Sequence, residues 1–148
     1  MQIDRYLRES PVCTLERVHR HVLGEVNQAL EPFGVNFMQG LLLIAIYSEK
    51  RGVNPSELGE TFGLSRVVVS QCLARLSELG FIVRTLDLRD ARRTNITIQP
   101  KERAQIQKMM NVFHRIQDRF ERLLGVGAVR AIQDGLEKLP DRRMFSER

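Results

Sequence analysis

Little in this 148-residue sequence can cross-link the chain, hold a metal or cross a bilayer. The only two cysteines, Cys13 and Cys72, form no C-x-x-C pair. A disulfide framework or zinc knuckle is therefore excluded, and a reducing, cytoplasmic setting is expected. The longest apolar run, Leu41 to Tyr47, is seven residues, far short of the roughly 20 a membrane helix needs. The opening MQIDRYLRES carries acids and no apolar core segment, so no secretory signal is expected there. His19 and His21 are two apart and fall on different helix faces, which disfavours a shared metal. No nucleophile–base pair, metal-ligand spacing or glycine-rich phosphate loop occurs, so neither an enzyme nor a cofactor is expected.

What is present is a folded, mildly basic chain, 43% hydrophobic and 28% charged, with a net charge of +5. Lysine is scarce, and arginine supplies 19 of the 23 basic residues. The planar guanidinium pairs with phosphates and guanine edges better than an ammonium does. A nucleic-acid partner fits that chemistry, although charge alone does not decide it.

The apolar spacing predicts mostly helices. Ser10-Pro11 reads as an N-cap and first helical residue. Val12, Leu15, Val18, Val22, Val26, Ala29 and Phe33 then recur at helical steps, predicting a helix over 11–31. Asn36 to Gln39 resembles a capping box for a second helix over 37–50, apolar all round and hence central. Asn54-Pro55-Ser56-Glu57 opens a short helix over 55–62, and Gly63 breaks it. Ser65 caps another over 66–79, with Val69, Cys72, Leu73, Leu76 and Leu79 facing inward. Phe81–Leu86 and Asn95–Ile98 then read as two short strands around a charged tip. From Pro100 a long helix carries the seam Ile106, Met109, Phe113, Ile116, Phe120, Leu123. A last helix follows Gly125 and Gly127, with Val129, Ile132, Leu136 and Leu139 in its stripe.

Residues 54–98 carry the functional signal. A short helix, a glycine turn and an amphipathic helix form a helix-turn-helix, and the hairpin after it makes the unit winged. With positions 69, 72, 73 and 76 inward, Arg66, Val67, Ser70 and Gln71 face out, and Arg75 lies at the flank. Arg66 and Gln71 are base-reading chemistries, Val67 suits a thymine methyl, and Ser65, Ser70 and Arg75 suit phosphate. In the tip, Arg89, Arg92 and Arg93 can reach DNA while Asp87 and Asp90 brace them by salt bridges.

These runs resemble the MarR family of bacterial transcription regulators. The residues that carry the likeness are Pro55-Ser-Glu-Leu-Gly-Glu, Gly63-Leu-Ser-Arg66, Arg75-Leu-Ser-Glu-Leu-Gly80-Phe-Ile-Val-Arg84 and Asp87-x-Arg89-Asp90-x-Arg92-Arg93. The resemblance implies a single mainly α domain: a winged helix-turn-helix over 36–99, with dimerisation helices in 1–35 and 100–148. It implies a homodimeric regulator, a repressor by expectation, on a palindromic operator in double-stranded DNA, released by a small phenolic or lipophilic effector. By position, Arg66, Ser70, Gln71 and Arg75 fall where the family reads and grips DNA, and Arg89 falls at its wing-tip arginine, braced by Asp87. Val67 and Val68 stand where the family usually has hydroxyl residues.

Two long terminal helices exceed what one winged unit needs, so they are expected to interdigitate with a second copy. A ligand pocket is expected where those helices meet the winged unit. Cys13 lies early in its helix, near where peroxide-sensing members of the family place a reactive thiol, and a helix N-terminus lowers a thiol pKa. Asn27 and Phe37 stand where those members carry tyrosines. A thiol-sensing repressor acting through Cys13 is thus one alternative reading. A winged-helix module that docks an acidic protein is another.

Overall fold

The computed structural model describes residues 2–49, 51–86 and 94–138. Seven α-helices occur there: α1 (Gln2–Glu9), α2 (Pro11–Leu30), α3 (Phe37–Ser48), α4 (Pro55–Phe62), α5 (Arg66–Glu78), α6 (Arg103–Leu124) and α7 (Val126–Glu137). Strands β1 (Ile82–Leu86) and β2 (Thr94–Ile98) pair antiparallel, from Ile82 opposite Ile98 to Leu86 opposite Thr94. The hairpin tip, 87–93, lies outside the described residues. Among those residues no single helix is long and apolar enough to cross a membrane.

Local chemistry sets the helix starts. Ser10 Oγ accepts the amide of Cys13, and Pro11 occupies the first turn of α2. Asn36 and Gln39 form a reciprocal capping box on α3, and Asn54 and Glu57 form one on α4. Each cap satisfies amides that have no partner inside the helix, and losing one costs about 1 kcal/mol. Gly34, Gly63 and Gly80 take the left-handed conformation where chain segments turn.

The core gathers around α3, as its all-round apolarity predicts. Leu42, Leu43 and Ile46 of α3 meet Leu58 of α4, Val69, Leu73 and Leu76 of α5, and Ile96 of β2. Val26 and Leu30 of α2 and Ile106, Met109 and Val112 of α6 close the other side. No polar or charged side chain is buried among the described residues. Burying each large aliphatic side chain contributes roughly 1.5–3 kcal/mol, so shape and hydrocarbon contact hold this interior together.

Several expectations are revised. The N-terminal α1 was not anticipated, though Ile3, Tyr6 and Leu7 have helical spacing. α3 ends at Ser48, before Gly52, because Glu49 turns extended. Pro100 opens a 3-10 turn, Pro100–Glu102, that runs directly into α6. α7 begins at Val126, with Gly127 inside it. Leu139 lies outside the described residues. Val53 also forms a bridge to Ile96, giving β2 a neighbour on its second edge.

Candidate nucleic-acid interface

The turn between α4 and α5 is tight because Gly63 sits at φ 60° and the Leu64 amide returns to the Gly59 carbonyl at 2.9 Å. Gly59 leaves room for that turn: a β-carbon there would lie 3.2 Å from the Leu64 carbonyl oxygen. Ser65 then starts α5, its Oγ accepting the Val68 amide at 3.3 Å. Val69, Leu73 and Leu76 bury one face of α5, as expected, while Cys72 and Leu79 are half-buried at its margin. Burial pushes the Cys72 thiol pKa up, which keeps it protonated.

The opposite face presents the anticipated row. Ser65, Arg66, Val67, Ser70, Gln71 and Arg75 are all exposed. The side chains of Arg66, Ser70 and Gln71 make no hydrogen bond or ion pair with other described residues, leaving their donors free for a ligand. Arg75 is tethered to Glu78 at 3.4 Å, a solvent-facing pair that a phosphate can compete for. Val67 is 64% exposed, so its methyl groups are open to a partner. The hairpin stands beside α5 through Phe81 and Ile82, both buried. Arg84, which the outward-facing row did not include, adds an exposed cation on β1. Asp87, Arg89, Asp90, Arg92 and Arg93 lie outside the described residues.

A ligand pocket is expected at the junction of α2, α3 and α6, and a shallow hollow of about 530 Å³ on its α2–α3 side is lined by Asn27, Asn36 and Gln39. Phe37 and Phe113 meet with ring centroids 5.7 Å apart, and Asn27 accepts the Phe37 amide at 2.6 Å. Farther along, an apolar hollow of about 640 Å³ lies among α2, α6 and α7, lined by Leu15, Val18, Phe120 and Ile132. Beside it, Glu25 of α2 pairs with Arg119 of α6 and lies 3.3 Å from His21 Nε2. The Arg119 hydrogen bond holds the Glu25 carboxyl below the usual carboxylate range. Cys13 is half-buried in the first turn of α2. No group of three His, Cys, Asp or Glu side chains that could hold a metal occurs among the described residues.

A sequence model of the MarR family matches residues 33–93, the span from just before α3 to the end of the hairpin tip. No curated protein matches the sequence. Solved structures do match. The repressor CouR on a 23-mer DNA duplex is 25% identical, with 90% of this chain and 94% of that one covered and a TM-score of 0.80. CouR of Rhodococcus jostii RHA1 bound to p-coumaroyl-CoA is 26% identical, covering 90% and 93%, with a TM-score of 0.77. The S. aureus MepR–DNA complex shares the fold at 19% identity, covering 88% and 96%, with a TM-score of 0.82.

Proposed function

We propose that the chain is a MarR-family member and a sequence-specific transcriptional regulator, a repressor, acting on double-stranded DNA; the family model over 33–93 and the likeness to CouR support this reading. The observation that carries this reading is the exposed row on α5, in which Arg66 and Gln71 offer base-edge donors unpaired among the described residues and Ser65, Ser70 and Arg75 flank them. A helix of this width enters the major groove, where Arg pairs with guanine and Gln with adenine. Arg89, Arg92 and Arg93 of the tip, braced by Asp87 and Asp90, would take the adjacent minor groove.

The regulator works as a homodimer. Apart from Val67 and Val68, every exposed large hydrophobic side chain among the described residues lies on α1, α2, α7 or the end of α6. Such a concentration belongs to an interface rather than to solvent. The winged region 36–99 is then the reading head, and 1–35 with 100–148 supply the helices that pair. Two heads related by a twofold axis lie about 34 Å apart, so the operator is a near-palindrome. The relative CouR binds both a DNA duplex and an acyl-CoA ligand. A small apolar effector that alters the spacing of the two heads would release DNA here.

Duplexes selected from a random pool test the reading. Gln71→Ala should relax base preference at one position per half-site, costing about 1–3 kcal/mol on the selected duplex and nothing on a random one. Arg89→Ala should weaken both equally and flatten the log–log salt slope by about one per subunit. Equal loss on both duplexes for Gln71→Ala removes that residue's reading role. Failure of the parent protein to bind any duplex at low salt removes the function.

A further inference from the structure

Gly52 has no unusual backbone conformation, since the positive-φ glycines are Gly34, Gly63, Gly80 and Gly125. What it lacks is space. A β-carbon on Gly52 would lie 2.8 Å from Asn95 Cγ and 3.0 Å from both its Cβ and Oδ1. Asn95 stands opposite Thr85, one pair short of the tip-side end of the ladder at Leu86 and Thr94. The next residue on each segment is locked in place: the Val53 amide donates to the Ile96 carbonyl at 3.0 Å, and the Ile96 amide returns to the Val53 carbonyl at 2.8 Å. Ile96 is wholly buried. One residue beyond Val53, Asn54 caps α4. Residues 52–54 therefore connect the hairpin strand to the first helix of the helix-turn-helix, and the tip-side half of the hairpin cannot tilt toward this segment without pressing Asn95 on Gly52.

We propose that Gly52 is a positioning residue for the wing: the Asn95 side chain, seated on the bare Gly52 backbone, sets the angle at which the hairpin leaves the body and hence where its arginines meet DNA. The idea rests on the DNA-binding function proposed above. A side chain at 52 pushes Asn95 off, and because Val53 and Ile96 remain paired, the displacement passes up the hairpin instead of into the core.

A double-substitution cycle tests it, using full-length protein, a duplex the parent protein selects from a random pool, and a random duplex. Gly52→Ala should shift the amide resonances of Thr85 and Thr94 to Thr97 in the free protein. It should also raise Kd on both duplexes and flatten the salt slope by about one per subunit, as loss of a wing contact to phosphate does. Asn95→Gly empties the seat from the other side and should flatten the slope too, which keeps the test open if Gly52→Ala folds poorly. The exchange Gly52→Ala/Asn95→Gly restores the fit and should bring both the resonances and the slope back toward the parent. Unmoved resonances in Gly52→Ala, an unchanged slope, or no recovery in the exchange variant overturns the proposal. A parent protein that binds neither duplex overturns the function instead, and the resonance shifts and their recovery still decide the seat.

Discussion

At Gly40 the missing side chain lets α3 press onto its neighbours. A β-carbon there would lie 2.9 Å from Leu30 Cδ1 and 3.4 Å from the Phe113 ring. Leu30 is fully buried, so any shift of its side chain must be taken up by the core around it. Alanine is intrinsically better than glycine in a helix by up to about 1 kcal/mol, but overpacking a tight interior costs about 1–3 kcal/mol. Gly40→Ala should therefore destabilise the protein by about 1 kcal/mol, measured as a lower urea midpoint at constant m-value. A gain in stability would show that the α2–α3–α6 junction can relax. The same residue-scale logic separates Arg66 from Arg75: the first has no partner to lose when it meets DNA, and the second must leave Glu78.

Among the elements, α2 and α6 are tied by Glu25 and Arg119. The Arg119 guanidinium favours the charged form of Glu25, so its folded pKa lies below that of an unfolded glutamate, about 4.3. The pair's stabilisation is full above that value and disappears as pH falls through the depressed one. Thermal midpoints should thus fall more steeply between about pH 5 and pH 3 in the parent than in Glu25→Gln. Parallel curves would mean that the pair is formed equally in both states. Elements of this chain differ in how visible they are in the sequence. The starts of α2, α3, α4 and α5 were legible because Ser10, Asn36, Asn54 and Ser65 act within three residues of themselves. The α5 row followed from its buried face for the same local reason. The Val53–Ile96 bridge and the Glu25–Arg119 pair were not legible, because their partners are brought together only by the finished fold and leave no spacing to read. α1 escaped notice because its apolar residues, Ile3, Tyr6 and Leu7, are exposed in the single chain and sit among charges.

For the whole molecule, assembly and DNA affinity should fall together. Leu123 is 76% exposed at the end of α6, within the apolar face assigned to the second copy. Leu123→Asp should leave the secondary structure intact and shift the sedimenting species to monomer at micromolar concentration. Binding to a full palindrome should weaken by about 10²-fold or more, because two linked contacts become one. A half-site duplex should be bound almost as before, and an unchanged dimer would relocate the interface.

Among the described residues the hydrocarbon interior and the outward row on α5 share no side-chain bond: no polar side chain is buried there, and Arg66, Ser70 and Gln71 have no partner there. The letters that face outward on that helix can therefore change without renegotiating anything underneath. Duplicated copies of such a gene can drift to new target sites one substitution at a time while each intermediate still folds. What selection must guard is the scaffold's geometry; the vocabulary written on it is comparatively cheap to rewrite.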